Sequence, residues 1–457
     1  MKPRPPLPEP PYLVLGLARS GVAVALALRE ADSAARIVAC DRRQPPEARE
    51  AADRLSRAGV EVHLGTDGTE LLASQRPGTV VKSPGVPQGA PAVLRARELG
   101  VEVMGELEIG WRLVPNEFWA VTGTNGKTTT TELIGAIHED AGLPVAVAGN
   151  IGTPVTSYAG TLESDAAVVC EASSFQLEDS VAFAPEVAVF LNFAEDHLDR
   201  HPTPDQYLES KLRLFANQSS NDIAVLNAAE PALRGRDLGS ARRVWFGRES
   251  ECELRLRDGR LWWEGRPFAD ATEIGLRGEH NLDNAMAAAA AALARGIDAE
   301  AVTAALRRSR GVPHRLEEIA ELGGVLYVND SKATNVAAAI ASLRAFDGGV
   351  HAIMGGRSKG AEFEALVPAV SERCRVCYLI GESAERLATA LAPAGVELHR
   401  CGDLDRAVSE AAAHARPGEA VLLAPACASF DQYENFDQRG DHFRELVNGL
   451  ASGRKEP

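Results

Sequence analysis

The residues best suited to chemistry in this chain form the run Gly123-Thr124-Asn125-Gly126-Lys127-Thr128-Thr129. The run follows an apolar stretch at 118–121 and precedes a helical pattern, so the order is strand, glycine turn and helix. Backbone N–H groups at the start of such a helix face an anion, and the helix dipole favours its negative charge. We expect Lys127 to reach the outer phosphates of a nucleotide and the Thr128 hydroxyl to ligate magnesium.

This glycine loop is shorter than a complete Walker A motif. That motif has a glycine where this chain has Val121. The alternative interpretation is a glycine turn that only begins a helix. The Lys-Thr pair directly after Gly126 favours phosphate binding over that alternative.

Acidic and imidazole side chains follow two further apolar stretches. Glu171 comes directly after 166–170, where a P-loop fold holds magnesium, although an acid there also stabilises a helix N-terminus. Asp196 and His197 lie just beyond 187–191 and form a candidate second set of metal ligands, or a polar surface loop. Lys211 lies on a helical stretch, 204–216, and its spacing alone indicates a solvated charge.

Three polar runs follow strands in the last third of the chain. Asp330-Ser331-Lys332-Ala333-Thr334-Asn335 offers an acid, a cation and two hydroxyls, and Lys332 suits a developing phosphoryl or oxyanion charge. The alternative is a helix N-cap with a solvated lysine. The runs 355–360 and 425–432 bind an anion through backbone N–H groups with Lys359 or Ser429, or are tight turns.

Three segments of the chain each restart an alternation of strands and helices, near residues 12, 106 and 313. Short continuous apolar runs predict parallel strands that are covered on both faces. Besides 118–121, the predicted strands are 12–15, 36–40, 60–64, 79–82, 101–104, 145–148, 166–170, 187–191, 223–226, 325–328, 350–354, 375–380 and 420–423. A hairpin over 252–268 turns at Asp258-Gly259, and an alanine-rich helix at 285–294 is expected to be buried packing.

We therefore predict an α/β protein of three domains in series. These are an N-terminal Rossmann-like domain (1–105), a central P-loop-type domain with a mostly parallel sheet (106–312) and a C-terminal Rossmann-like domain (313–457). Ligands in such sheets bind at the carboxyl ends of strands, where the polar runs fall. The first turn, 16–21, has Ala18 in place of the second glycine of a dinucleotide fingerprint, while Asp41 is placed to hold a ribose-like diol.

The bulk properties exclude several classes of protein. A net charge of −16 disfavours nucleic acid and anionic membranes as partners. The seven scattered cysteines suit a reducing compartment, and residues 1–11 hold six prolines without the apolar segment of a signal peptide, so we expect a cytoplasmic protein. Cys374 and Cys377 are three apart on a predicted strand, which places them on opposite faces as two ordinary core thiols, the alternative being a redox or zinc role.

Taken together and in order, these runs resemble the Mur ligase family, ATP-dependent amide-forming enzymes of peptidoglycan precursor synthesis. The likeness covers essentially the whole chain. It includes Gly278-x-His-Asn-x-x-Asn284, His314-Arg315 and the run 329–335. The last segment, 424–440, is similar to that of the D-glutamate-adding members, with Ala424 in place of their leading serine.

The resemblance implies ATP and two magnesium ions as cofactors, and UDP-N-acetylmuramoyl-L-alanine and D-glutamate as substrates. Implied ATP-binding residues are Gly123, Thr124, Asn125, Gly126, Lys127, Thr128, Thr129, Asn281, Asn284, Arg315 and Asp330. Implied metal ligands are Thr128 for one ion and Glu171, His197 and a carbamylated Lys211 for the other. Implied UDP-sugar contacts are Leu17, Ala18, Arg19, Ser20, Asp41, Arg42, Ser83 and Asn150, while D-glutamate and the transferred phosphate are placed near Lys332, Thr334, Lys359, Ser429 and Phe436.

The implied activity is addition of D-glutamate through an acyl phosphate, by a monomer with Lys127, Glu171, His197, Lys211 and Lys332 as catalytic residues. Other ligases of the superfamily, which add L-alanine, a diamino acid or a glutamate to folate, are the nearest alternative, and ADP release with a panel of amino acids separates them. A P-loop kinase or NTPase is a second alternative, and its ATP turnover would need no amine. A third is an inactive UDP-sugar-binding protein, against which the intact lysines and acids argue.

Overall fold

The computed structural model describes residues 2–197, 200–276, 278–309, 311–358 and 362–453. The backbone divides into two compact units. The first comprises Met1–Glu273 and Asn284–Leu306, and the second comprises Ile274–Asp283 and Arg307–Pro457. Among the described residues, two sheets belong to the first unit and one to the second.

The first sheet is built from the first hundred residues. Its strands are β1 (Tyr12–Leu15), β2 (Ile37–Asp41), β3 (Glu61–Leu64), β4 (Thr79–Lys82) and β5 (Glu102–Gly105), and its helices are α1 (Arg19–Ala31), α2 (Pro46–Arg57), α3 (Thr69–Gln75) and α4 (Pro91–Glu98). All neighbours are parallel in the order β3-β2-β1-β4-β5. The order reverses between β1 and β4, so their carboxyl ends open a crevice suited to a ligand.

Only glycine fits at position 21, where α1 starts against the first turn. A Cβ on Gly21 would lie 1.8 Å from the Gly16 carbonyl oxygen. The turn therefore closes tightly despite Ala18, because this glycine allows the helix to approach the strand end.

The second sheet carries the glycine loop. Its elements are α5 (Glu106–Leu113), β6 (Glu117–Thr122), α6 (Lys127–Asp140), β7 (Val145–Gly149), β8 (Ala167–Glu171), α7 (Ser174–Leu177), β9 (Val187–Phe190), α8 (Pro204–Leu212), β10 (Ile223–Asn227), β11 (Arg242–Gly247), β12 (Leu254–Arg257), β13 (Arg260–Trp263), β14 (Arg266–Asp270), α9 (Glu279–Arg295) and α10 (Ala299–Arg308). The strand order is β14-β13-β12-β11-β10-β9-β6-β8-β7, parallel except for the pairs β12–β13 and β13–β14. Since β6 lies between β8 and β9, three predicted polar loops leave the same edge of this sheet.

Two local predictions in this region are confirmed. The hairpin of β12 and β13 turns at Asp258 and Gly259, with Arg257 paired to Arg260. The alanine run of α9 is buried, and each residue of 285–292 has no solvent exposure.

The third sheet belongs to the second unit. Its elements are β15 (Glu317–Leu322), β16 (Val325–Asn329), α11 (Val336–Arg344), β17 (Val350–Gly355), α12 (Val367–Arg373), β18 (Cys374–Ile380), α13 (Ala384–Leu391), β19 (Glu397–Gly402), α14 (Leu404–His414), β20 (Ala420–Leu423) and α15 (Phe436–Gly453). The order is β15-β16-β20-β17-β18-β19, with β15 antiparallel to its neighbour. Apolar clusters cover both faces of this sheet, so the predicted α/β fold class is confirmed.

The prediction that Cys374 and Cys377 lie on opposite faces of their strand is wrong, whereas their prediction as ordinary core thiols is confirmed. Where β17 pairs with β18, Val350 lies opposite Cys374 and His351 opposite Val376, so Arg375 forms a bulge. The extra residue inverts the alternation of side chains, and both thiols pack against the same apolar cluster. They hydrogen-bond to each other, and this bond together with burial raises the pKa of Cys374 well above its ordinary value. Thiolate chemistry is thereby disfavoured.

None of the described helices combines the length and the apolar character that a membrane crossing requires.

Candidate active site at the carboxyl ends of the strands

The glycine loop joins the end of β6 to the start of α6, as predicted. Gly123 and Gly126 have φ angles of 152° and 84°, a region that only glycine adopts readily. A Cβ on Gly126 would lie 2.1 Å from Oδ1 of Asn284, so the amide of this α9 residue lies against the loop. Asn284 and the loop are thus brought together, as the nucleotide-binding prediction requires.

Asn192, directly beyond β9, holds the glycine loop in place. Its Oδ1 accepts from the Asn125 backbone N–H at 2.9 Å, and its Nδ2 donates to the Asn125 carbonyl at 3.1 Å. The Thr124 N–H donates to the Asn192 carbonyl at 2.9 Å. Sequence reasoning gave Asn192 no role. The available signal was an amide side chain at the end of a strand adjacent to the loop strand.

The Nζ atoms of two lysines share one backbone carbonyl of the loop. Lys127 Nζ lies 3.0 Å from the Gly123 oxygen and 2.9 Å from the Thr124 oxygen, and Lys211 Nζ lies 2.7 Å from the same Gly123 oxygen. Lys211 lies on α8 and is 1% exposed. The interpretation of Lys211 as a solvated charge from its spacing is therefore wrong, because α8 presents this residue to the interior.

The surroundings of Lys211 favour a neutral amine. Burial lowers the pKa of Lys211 well below its ordinary value, and the nearby charge of Lys127 lowers it further, while Asp196 and Glu171 act in the opposite direction. The ring of Tyr207, whose centroid lies 4.3 Å from Nζ, acts with the two acids in favour of the cation. A neutral primary amine is a nucleophile, which a solvated lysine is not at neutral pH.

Glu171 ends β8 beside the loop, with 2% of its surface exposed. Its Oε2 accepts from the Thr128 hydroxyl at 2.5 Å, and its Oε1 accepts from the Asn150 amide at 2.9 Å. The structure thus brings together Thr128 and Glu171, the two predicted oxygen ligands. It also brings Asn150, which the family resemblance gave to the UDP-sugar, into contact with the same carboxylate.

His197 lies in the loop that follows β9. Its φ of 55° is in the left-handed region, which is uncommon for a residue other than glycine. Its ring lies 4.9 Å from the ring centroid of Phe175, the second residue of α7, and its N–H donates to Asp196 Oδ1 at 2.8 Å. His197 therefore packs on the segment that directly follows Glu171.

The donor set at this edge fits magnesium. Throughout the described ranges, no three His, Cys, Asp or Glu side chains are grouped so as to hold a metal by themselves. Magnesium needs no such cage, since it is usually held by one or two carboxylates together with substrate phosphates and water. The buried carboxylate of Glu171 against the Thr128 hydroxyl, beside a phosphate-type loop, is that kind of site.

The first sheet has a cavity of about 640 Å³ at the switch point, lined by Ala18, Asp41, Arg42 and Ser83 among others. Asp41 accepts from the backbone N–H groups of Leu17 and Arg43, both at 2.8 Å. Its carboxylate therefore shapes the turn that surrounds the cavity. Of the other predicted contacts in this turn, Arg19 reaches the Gly152 carbonyl at 3.4 Å, and Ser20 is half-buried at the start of α1.

In the second unit, the loop after β16 meets the start of α15. The Lys332 Nζ lies 3.6 Å from the ring centroid of Phe436, and the Ser331 hydroxyl donates to the Phe436 carbonyl at 2.8 Å. The Thr334 N–H donates to the Lys332 carbonyl at 2.7 Å. Lys332 and Phe436, two residues of the predicted substrate set, are thus in contact.

The loops after β17 and β20 are joined by an antiparallel bridge between Arg357 and Ala428. Their backbone N–H groups and carbonyls exchange hydrogen bonds of 2.8 and 3.1 Å. Ser429, the next residue, is buried. Lys359, which was predicted beside it, lies outside the described residues.

Of the residues predicted at the adenosine end, Asn284 belongs to the first unit, while Asn281, Arg315 and Asp330 belong to the second. Burial raises the pKa of Asp330 to about 6, although the Ser342 hydroxyl donates to it and the charge of Arg315 opposes the shift. Asn281 is buried near the start of α9, where its N–H donates to the Gly278 carbonyl at 3.0 Å.

Comparison with known proteins identifies the family. Three family models match in succession: the MurD-like N-terminal domain over 11–105, the Mur ligase middle domain over 121–292 and the Mur ligase glutamate ligase domain over 314–427. The UDP-N-acetylmuramoylalanine–D-glutamate ligase of Acidobacterium capsulatum is 42% identical over 448 residues, which cover 95% of each chain. That of Pelotomaculum thermopropionicum is 42% identical over 454 residues, covering 96% of this chain and 98% of the relative. The chain belongs to the Mur ligase family.

Solved structures share the fold of this Mur ligase. The UDP-N-acetylmuramate-alanine ligase MurC of Thermotoga maritima has a TM-score of 0.61 and 19% identity, covering 96% of this chain and 99% of that one. The MurF ligase of Thermotoga maritima, solved in complex with ADP, has a TM-score of 0.60 and 17% identity, covering 92% and 97%.

Arg439 of α15 is a residue of this Mur ligase to which the sequence gave no role. It is fully buried and donates to the Ser331 hydroxyl at 3.0 Å and to the carbonyls of Ser331, Cys427 and Gly355 at 2.8, 3.2 and 3.4 Å. One guanidinium therefore ties the loops after β16, β17 and β20 to α15. Burial lowers the pKa of Arg439 to about 10, so it stays charged at neutral pH.

We expect Arg439→Met to lower the free energy of unfolding by about 3 kcal/mol, because it leaves buried carbonyl groups without a donor. The loops after β16 and β20 lose their common anchor, so the KM for the amino-acid substrate should rise more than the KM for ATP. Chemical denaturation and steady-state ADP release measure the two effects. Arg406→Met, which breaks an exposed ion pair with Glu410, is the control and should change neither. Equal stability of Arg439→Met and the parent would contradict the anchoring role.

Proposed function

We propose that this chain catalyses the ATP-dependent addition of D-glutamate to UDP-N-acetylmuramoyl-L-alanine, in peptidoglycan precursor synthesis. The observation that carries the proposal is the sequence identity of 42%, over nearly the whole length of the chain, to ligases named for that reaction. The glycine loop with Glu171 and the buried Lys211 supplies the phosphate chemistry that such a ligase needs.

The reaction requires that a carboxylate become an electrophile. A carboxylate does not accept an amine at neutral pH, because oxide is a poor leaving group. Phosphoryl transfer from ATP turns the L-alanine carboxylate into an acyl phosphate, and the D-glutamate amine then displaces phosphate through a tetrahedral intermediate. Alignment and neutralisation of charge are what the protein must supply.

The nucleotide phosphates are proposed to bind at residues 123–129. The N–H groups at the start of α6 would face an anion bound there. Lys127, which now donates to the loop carbonyls, would turn to the phosphates. Asn284 already lies against the loop. Asn281, Arg315 and Asp330 are proposed to hold the adenosine end.

Thr128 is proposed to hold one magnesium ion, and Glu171, His197 and Lys211 the second. When bound, the ions neutralise phosphate charge and favour the in-line geometry of transfer. The chain's own contribution is to fix the Glu171 carboxylate, which Thr128 and Asn150 hold by hydrogen bonds from two sides.

Lys211 is proposed to act as a carbamate. Its lowered pKa provides the neutral amine that reacts with CO₂, releasing one proton as the N–C bond forms. The product is an anion with two oxygen donors. The carbamate would lie beside the Lys127 ammonium, which shares the Gly123 carbonyl with Lys211, so the two opposite charges would attract each other.

The UDP end of the substrate is proposed to bind in the cavity of the first sheet, which is lined by Ala18, Asp41, Arg42 and Ser83. Leu17, Arg19 and Ser20, which do not line this cavity, are proposed to contact the substrate from the adjoining turn. The cavity volume of about 640 Å³ is within the range of small-molecule sites. Asn150 is proposed to contact the UDP-sugar as well. Its amide donates to Glu171, so one residue would contact both the substrate and a proposed metal ligand.

D-Glutamate is proposed to bind near Thr334, Lys359, Ser429 and Phe436, since cations and hydroxyls suit its two carboxylates. We place the reaction in the cytoplasm, where ATP is available, and expect a monomer.

Lys332 is proposed to neutralise the charge of the transferred phosphoryl group. We expect Lys332→Ala to lower kcat by about a hundredfold, because it removes one preorganised donor. Binding of UDP-N-acetylmuramoyl-L-alanine, measured by calorimetry, should stay within about twofold because that substrate is anchored elsewhere. Arg344→Ala, an exposed residue at the end of α11, is the control. A kcat equal to that of the parent would remove Lys332 from the mechanism.

The proposed function is tested by phosphate release with ATP and UDP-N-acetylmuramoyl-L-alanine, with and without D-glutamate. Sustained release should require D-glutamate, and L-alanine or a diamino acid should not replace it. Release that needs no amine would identify an NTPase instead, and a preference for another amino acid would identify a different ligase of the family.

A further inference from the structure

Lys82 is a fully buried lysine at the end of β4, next to the cavity of the first sheet. Its Nζ donates to the Val86 carbonyl at 2.8 Å and lies 2.6 Å from Asp179 Oδ2. Val86 belongs to the turn after Ser83 that lines the 640 Å³ cavity. The Lys82 ammonium group therefore contacts the turn at the cavity and also the carboxylate of Asp179, which belongs to the part of the chain that builds the second sheet.

Asp179 lies just beyond α7, the short helix that begins three residues after Glu171. Its Oδ1 accepts from the Gln88 amide at 2.7 Å, so the turn after β4 contacts it a second time. Its carbonyl accepts from the Gly105 N–H at 3.0 Å. The end of α7 is thereby fixed to the strand ends of the first sheet.

Glu178 extends the contact to the loop that carries His197. It lies 3.9 Å from Lys82 Nζ and forms an ion pair with Arg200. The Arg200 guanidinium lies 4.9 Å from the ring centroid of Phe175, the same ring that His197 contacts. His201 and Ser174 add a hydrogen bond of 3.0 Å between the loop and α7.

The four charged groups form one ionic chain, in which Lys82 lies against both Asp179 and Glu178, and Glu178 also pairs with Arg200. Burying such charges has a large desolvation penalty, and apolar residues of the same volume often give equal or greater stability. The ionic chain therefore indicates that this arrangement of segments is fixed for its geometry and not mainly for stability. Single buried polar residues fix the geometry of other proteins in the same way.

We propose that Lys82 is a positioning residue that couples occupancy of the cavity beside Ser83 to the placement of α7 and the His197 loop. Binding of the nucleotide sugar would fix the turn that carries Val86. Lys82, Asp179 and Glu178 transmit this to Arg200 and Phe175, and thereby to a proposed metal ligand. The role rests on the proposed function, because it needs a UDP-sugar in that cavity.

The test compares the wild-type protein with Lys82→Met and with the double variant Lys82→Met/Asp179→Asn. The single variant leaves a buried carboxylate unpaired and is expected to be unstable. The double variant removes both charges at nearly constant shape and should keep a melting temperature near that of the parent. Arg95→Met, which breaks an exposed pair with Glu98 in the same sheet's α4, is the matched control.

Hydrogen–deuterium exchange is measured without ATP, before and after addition of UDP-N-acetylmuramoyl-L-alanine. The wild type and Arg95→Met should gain protection at residues 173–179 and 200–207, and the double variant should lose that gain. In steady state, the double variant should show a KM for the UDP-sugar raised and a kcat lowered, each by about tenfold, while the KM for ATP stays within about twofold. Loss of a residue with only a structural role would change the KM for ATP and the KM for the UDP-sugar alike.

Equal protection in the wild type and the folded double variant would overturn the role of Lys82 and leave the proposed function intact. A double variant whose KM values for ATP and for the UDP-sugar rise by the same factor would also overturn the role of Lys82. A wild type that neither gains protection nor forms ADP with D-glutamate would overturn the proposed function itself, and the role of Lys82 with it.

Discussion

Replacing Lys127 with methionine is expected to lower kcat by about a thousandfold, with the fold intact. The ammonium group lies on the carbonyls of the loop that it would leave for the nucleotide phosphates. Methionine keeps the apolar stem of the side chain and removes the charge. The loop geometry depends on Gly123, Gly126 and Asn192, which the substitution does not touch.

Steady-state ADP release gives kcat, and thermal unfolding shows whether the variant is folded. Arg36→Met removes an exposed cation that pairs with Glu61 and should leave both values unchanged. A folded Lys127→Met protein that retains a third or more of the parental kcat would contradict the assignment of the loop to phosphate binding.

Replacing Lys211 with methionine is expected to have an effect of similar size, about a thousandfold in kcat. The residue is buried against the loop, and its neutral amine is proposed to become a carbamate. Methionine fills the same space but cannot react with CO₂. The variant should therefore fold, since an unbranched apolar side chain of similar size suits this buried position.

The measurement for the carbamate itself is ¹³C NMR after incubation of the protein with [¹³C]bicarbonate. The parent should give a carbamate signal that Lys211→Met lacks, and its activity should fall when CO₂ is removed and return when bicarbonate is added. A fully active Lys211→Met protein, or an activity of the parent that ignores CO₂, would show that the amine acts without this modification.

The sequence predicted the strand-end loops well because parallel strands have a simple local signature. Continuous apolar runs give the strands, and the polar residues that follow them must meet at one edge of the sheet. Glu171 beside Thr128, and Lys332 beside Phe436, were found in this way or from the resemblance. Among the strands that were missed are β11, β15 and β19, since charged residues precede or interrupt the apolar ones in the runs 242–247, 317–322 and 397–402.

The features that were predicted wrongly or not at all depend on contacts between distant parts of the chain. The burial of Lys211 is set by the loop 88 residues away along the chain, on which its spacing in α8 carries no information. The ionic chain from Lys82 to Arg200 joins segments that are separate in sequence. The bulge at Arg375 depends on the pairing of β18 with β17, so the face of Cys374 does not follow from its own strand.

The most direct test of the account follows oxygen from the substrate into phosphate. UDP-N-acetylmuramoyl-L-alanine with both carboxylate oxygens labelled as ¹⁸O is incubated with ATP and D-glutamate, and the phosphate released is analysed by mass spectrometry. If the carboxylate is phosphorylated before the amine attacks, each phosphate formed in the reaction carries one ¹⁸O and the new amide retains the other. Phosphate that carries no label, with turnover dependent on D-glutamate, would contradict activation of the carboxylate by ATP.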